Sequence, residues 1–106
     1  MTKTLWFVSE YDYEEQGKLK YFGTAGCTKG EDQAIRRCSK ILICSESKFR
    51  EMIKERIDKA MNDGMMYEGD VIRDGGKNGY KLYFGNKSIH KAVTIEKKVV
   101  TEDEDD

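Results

Sequence analysis

The sequence contains no proline, one tryptophan, one histidine and three cysteines among its 106 residues. Lack of proline excludes collagen-like repeats and rigid polyproline spacers, and leaves turn-making to the ten glycines. No apolar run approaches the roughly 18 residues that cross a bilayer. Only Leu5-Trp6-Phe7-Val8 follows the opening residues as an unbroken apolar stretch, too short for a secretory signal. The expected location is therefore the cytoplasm, away from membranes. Cys27, Cys38 and Cys44 form an odd set without a C-x-x-C pair, which fits neither a disulfide framework nor the short ligand loops of a structural zinc site. They read as small buried groups in a reducing compartment, and no metal or cofactor is expected.

What is present points to one folded domain over 1–100. The length suits a single domain, and the 11 aromatic residues supply bulk that disordered chains lack. The formal net charge of −1 hides a segregation. Nineteen Lys and Arg face 20 acids, five of which are residues 102–106, so residues 1–100 carry +4. Residues 101–106 hold no apolar side chain and are expected to form a disordered acidic tail. Between Lys77 and Lys98, six lysines oppose only Glu96.

Hydrophobic periodicity orders the elements. Thr4-Leu5-Trp6-Phe7-Val8 and the alternating residues 18–25 read as two strands of a hairpin joined by a polar loop ending at Gly17. Apolar residues on both faces of 5–8 suggest a central strand, or one covered on both sides. Thr28-x-x-Glu31 matches a capping box for a short helix over 30–39, and residues 41–44 read as a short strand or as the entry to the next helix. That next helix is the clearest element. Ser45 or Ser47 caps it, Phe49, Met52, Ile53, Ile57, Ala60 and Met61 fall on one stripe of period 3.6, and Gly64 suits its left-handed end. Residues 66–73, 80–84 and 89–100 read as three further strands joined by glycine-rich turns. Strands, helices, then a meander predict a two-layer α+β fold, an antiparallel sheet of about five strands with one long and one short helix on one face.

No motif assigns a reaction. Asp74-Gly75-Gly76-Lys77-Asn78-Gly79 has the wrong spacing for a phosphate-binding loop and reads as a hairpin turn. Glu68, Asp70, Asp74 and Glu96-x-Lys98 supply the residue types of a metal-dependent nuclease without its order of elements. A cysteine nucleophile needs a histidine partner; His90 reads as a surface residue on an edge strand, and Cys44, just before a helix start, is the only thiol with a physical reason to be reactive.

The reading that remains is a non-enzymatic protein-interaction module, one that occludes a site on a larger protein partner. The proline-free, Lys/Glu-rich small chain suits a phage or mobile-element inhibitor of a host or defence protein. The expected contacts are Tyr11, Tyr13, Glu14 and Glu15 of the first hairpin together with Glu102, Asp103, Glu104 and Asp105, because tyrosine is favoured at interfaces and an acidic arm can occupy a basic groove. The alternative is a nucleic-acid-binding domain using Lys77, Lys81, Tyr83, Lys87 and Lys91, in which tyrosines stack bases and lysines meet phosphates. Either a monomer or a homodimer is compatible with these readings.

Overall fold

The computed structural model describes residues 2–13, 19–28, 30–67 and 69–101. Strand β1 (Thr2–Tyr13) and strand β2 (Leu19–Thr28) are followed by helices α1 (Glu31–Leu42) and α2 (Glu46–Asp63), then by strands β3 (Val71–Ile72), β4 (Gly79–Asn86) and β5 (Lys91–Thr101). The strands form one antiparallel sheet in the order β2-β1-β5-β4-β3. Four strands are long and β3 is a two-residue edge. The fold is α+β, as the alternation of periods predicted.

The core forms where one sheet face meets the helices. Trp6 and Val8 of β1, Tyr80, Leu82 and Phe84 of β4, and Val93 and Ile95 of β5 are buried with Ala34, Ile35, Cys38 and Leu42 of α1 and Phe49 and Ile53 of α2. Strand alternation puts every second residue on that side, while α1 turns residues 34, 35, 38, 39 and 42 toward it at helical spacing. The Phe49 ring meets Phe84 edge-on at 5.1 Å and ties α2 to β4.

Several local readings are corrected. α1 runs three residues further than expected, and its N-cap is Gly30, not Thr28, which ends β2. Glu31 is thus the first helical residue rather than the third, and it accepts a bond from Arg50 Nη1 at 3.3 Å instead of closing a capping box. Ile41 and Leu42 are the last turn of α1, not a strand or the start of the next helix. Ile43 then takes a left-handed conformation, with its N–H donating to Lys40 O and that of Cys44 to Ser39 O.

α2 begins at Ser45, whose hydroxyl accepts from Lys48 N at 3.1 Å, and ends at Gly64 with φ +67°. Its stripe is only partly buried: Phe49 and Ile53 are enclosed, whereas Met61 is 63% exposed. The helix outruns the sheet there, because β3 is too short to lie beneath its last turn. Of residues 66–73 only Val71 and Ile72 are a strand, paired with Lys81 and Tyr80. The glycine-rich turn that follows delivers the chain to Gly79 at φ +126°, where any Cβ would stand 2.8 Å from Lys97 O, so a side chain there would collide with the neighbouring strand. Among the described residues, no helix is long and apolar enough to cross a membrane.

Candidate functional site

The sheet face opposite the helices carries the other half of each strand's residues. Register places Phe7, Glu96, Lys81 and Val71 in one row across β1, β5, β4 and β3, with Leu5 and Lys98 beside it on one flank and Ser9, Thr94 and Tyr83 on the other, followed by Tyr11, Ala92 and Gly85. An antiparallel sheet with a solvated face ordinarily alternates to polar residues there. Here Leu5, Phe7, Tyr11 and Tyr83 are half-buried, and Val71 is exposed. Among the described residues no helix lies over this side. The expectation that the strand around 5–8 is central is met, since β1 lies between β2 and β5; its second apolar side is this open face.

Toward the end of the face nearest the turn between β4 and β5 lies an aromatic pair. The rings of Tyr11 and Tyr83 meet edge-on with centroids 6.3 Å apart, although they belong to strands on opposite sides of β5. They can meet because Ala92 and Thr94, their register partners on β5, are small. Beside the pair lies a depression of about 660 Å³ lined by Tyr11, Tyr83, Lys81, Gly85 and Thr94 from the sheet and by Arg56, Tyr67 and Gly69 at its rim.

That rim is built by one buried ion pair. The Asp70 carboxylate, fully enclosed, accepts from Arg56 Nη1 at 2.9 Å and from the backbone N–H of Tyr83 at 3.1 Å. The same Arg56 nitrogen donates to Tyr83 O at 2.8 Å. Strand β3 pairs only with Tyr80 and Lys81, so at Tyr83 these two side chains satisfy the outward-pointing N–H and C=O that a longer β3 would have paired. The Arg56 guanidinium lies between the rings of Tyr67, 4.1 Å away, and Phe84, 4.4 Å away. The chain leading into the rim is apolar and exposed, with Met61, Met65, Met66 and Tyr67 all at least 49% accessible. Methionine and tyrosine are the residue types that adaptable binding surfaces favour.

The residues expected from sequence distribute unevenly over this geometry. Tyr11 is on the open face, near the end of β1, and Tyr13 ends that strand, but the Tyr13 side chain, Glu14, Glu15 and Glu102 to Asp105 lie outside the described residues. Thr2 pairs with Thr101 and Asp12 with Lys91. Tyr13 and the point where the acidic tail departs are therefore at opposite ends of β1, about 36 Å apart at roughly 3.3 Å per residue. That exceeds the width of a standard interface of about 800 Å² per partner, so hairpin tip and tail root do not form one compact patch.

The lysine set is also dispersed. Lys81 and Tyr83 share the open face, whereas Lys91 is on the helix side with Val93 and Ile95, held by Glu10 at 3.1 Å and Asp12 at 2.6 Å. Those acids raise its pKa through hydrogen bonds. Lys77 and Lys87 sit in the turns at opposite ends of β4, roughly 23 Å apart.

The candidate chemistry fares as follows. Asp70 is taken up by Arg56 and Tyr83, and the Asp74 carboxylate accepts from Asn78 Nδ2 at 3.2 Å. Among the described residues no three His, Cys, Asp or Glu side chains gather as a metal site. Burial pushes the Cys38 thiol up to about 12, with Cys44 adding to the rise, and burial also raises Cys44 against a smaller opposing effect of Lys48. Neither is an activated thiol. His90 is in a left-handed turn before the central strand β5 rather than on an edge strand. The chain matches no family model, no curated protein and no solved structure.

Sequence reading marks Asp70 only as one carboxylate of a nuclease pattern, not as the partner of an arginine, and does not mark Arg56. Arg56 is one of many charges on the outer side of the α2 stripe, and nothing local marks it as the one that turns inward. The available signal is Met65-Met66-Tyr67, an apolar run directly after a helix-ending glycine, of which Met66 and Tyr67 also fit the strand expected over 66–73.

Proposed function

We propose that this chain is a binding module without catalytic function, which acts by laying the open face of its sheet on a larger protein and blocking a site there. The observation that supports this reading most directly is the Tyr11–Tyr83 pair, which shares with Leu5, Phe7 and Val71 a sheet side that no described element covers. Burying an aromatic cluster of this kind is what gives protein interfaces their few dominant contacts. The rigid strands beneath it, with β4 locked at Tyr83 by Asp70 and Arg56, hold the side chains in place before binding and reduce the entropy lost on association.

The nucleic-acid reading retains Lys81 and Tyr83 on this face and loses the neutralised Lys91, leaving too little concentrated charge for a run of phosphates. The test is affinity capture from the cell that hosts the protein, using the wild-type chain and a Tyr11→Ser/Tyr83→Ser double variant whose far-UV circular dichroism is unchanged. The proposal expects a protein retained by the first and lost by the second. Identical retention on both, or a gel shift with single-stranded DNA that falls steeply between about 50 and 200 mM salt, contradicts it.

A further inference from the structure

The depression beside the tyrosine pair has a sign as well as a shape. Among the described residues its lining contains no acidic side chain: it holds the cations Lys81 and Arg56, of which Arg56 is spent on buried Asp70. Of the described charged residues, register puts Lys3, Lys81 and Lys98 on the open face against Glu96, the partner of Lys81. The acids of β1 go the other way. Glu10 and Asp12 alternate onto the helix side, where both meet Lys91. Glu10 and Asp12 on the helix side are thus balanced by Lys91 and Lys97, whereas the described part of the open face keeps an excess of lysine.

The edge beside the depression also restricts how a partner can enter. At Tyr83 the outward backbone groups are already bonded to Asp70 and Arg56, so an incoming strand cannot extend the ladder there without breaking a buried ion pair. A partner has to be read by side chains projecting into the depression. At about 660 Å³ it is large enough for a bulky aromatic or branched side chain.

We infer that the depression lined by Tyr11, Tyr67, Tyr83 and Lys81 is the anchor socket of the proposed binding face, and that it takes a bulky apolar side chain flanked by a carboxylate, presented by an acidic segment of the partner protein. This rests on the protein-binding reading above and adds the chemistry of what is bound. The rings enclose the apolar group, and the Lys81 ammonium at the exposed rim meets the neighbouring negative charge. Because Lys81 is exposed, it contributes selectivity and association rate more than affinity.

A pair of dyes tests the socket on the full chain: 8-anilinonaphthalene-1-sulfonate, which joins aromatic rings to an anion, and its uncharged parent N-phenyl-1-naphthylamine. The inference expects both to bind with enhanced fluorescence at one site and both to be lost in Tyr83→Ser. In Lys81→Glu, an exposed substitution that leaves the packing intact, the sulfonate should bind about fivefold more weakly at low salt, with the uncharged dye within twofold of wild type. No binding of either dye to the folded wild type, an unchanged sulfonate affinity in Lys81→Glu, or displacement of the sulfonate by oligo-dT overturns it. The two proposals fail separately. A captured protein that is lost with Tyr11→Ser/Tyr83→Ser but retained undiminished by Lys81→Glu keeps the binding face and removes the acidic anchor.

Discussion

At the scale of single residues, the most consequential side chain is Asp70. Its carboxylate joins three parts of the molecule, the guanidinium from α2, the backbone of β4 and the loop that carries Tyr67. Removing one member of an enclosed ion pair leaves the other charge buried without compensation, which costs about 3–5 kcal/mol. Asp70→Ala should lower the urea midpoint accordingly, and the paired change Arg56→Met/Asp70→Leu should recover much of the loss; equal destabilisation by single and double variants would contradict the role given to the pair.

Cys38 gives a second residue-level prediction, in pH. Its thiol is held up to about 12 against an ordinary 9.0, chiefly by burial, and buried Tyr80 is shifted upward for the same reason. The unfolded chain releases these protons near its ordinary values while the folded chain keeps them. Their contribution is therefore complete below about pH 9 and is lost as pH rises toward 12. Urea unfolding free energies measured from pH 8 to 10 should fall with pH in the wild type and fall less in Cys38→Ala. Parallel slopes would place Cys38 in a more open environment.

At the scale of elements, Ile43 shows where a local rule is broken. A β-branched residue rarely adopts φ 54°, and this one is 73% exposed, so it gains little from burial. The turn is imposed from outside: Asn86 Nδ2 donates to Leu42 O at 3.0 Å while Asn86 Oδ1 accepts from Ser88 N, clasping the end of α1 to the turn after β4. Glycine at this position removes the strain of roughly 1–2 kcal/mol at some cost in unfolded-chain entropy. Ile43→Gly is thus expected to stabilise the protein by about 0.5–1 kcal/mol in urea titration. A lower midpoint would mean that the isoleucine contributes packing that its exposure hides.

Elements with strong periodicity were the legible ones. α2 is read correctly at both ends because Ser45 and Gly64 are chemically suited to their caps, and β4 and β5 follow from alternation, whereas the apolar run 4–8 marks only the middle of β1, which spans Thr2–Tyr13. The misread segments share a cause. Residues 41–44 and the stretch before Val71 are placed by tertiary partners, Leu42 by Asn86 in the first case and Asp70 by Arg56 in the second, and no window of neighbouring residues contains those partners. The same holds for the site. Tyr11 and Tyr83 were each visible as strand tyrosines, but their meeting across β5 depends on the strand order, which places the last strand between the first and the fourth.

For the whole molecule, the asymmetry of the sheet is the organising fact. Neither edge offers a simple surface for pairing. β3 and the Asp70–Arg56 pair close one side, and on the other β2 carries extra residues at Ala25 and Phe22, where its register with β1 shifts twice. Such bulges bend an edge strand away from regular pairing, which disfavours a homodimer built by joining edges. The faces differ more than the edges. One is sealed by two helices, and the other is spanned by four long strands whose backbone ladder covers on the order of 700 Å² at about 4.8 Å between strands, close to the roughly 800 Å² per partner of a stable interface. The area suffices for specific association if the aromatic pair supplies the dominant contacts.

Hydroxyl-radical footprinting of the captured complex tests that claim most directly, because it reports which side chains lose solvent when the partner is present. The account predicts protection of Phe7, Tyr11, Tyr67 and Tyr83, with Ile43 and the outer side of α2 reacting as in the isolated chain. Protection confined to Ile43 and the helices, with the tyrosines of the open face unchanged, would contradict it.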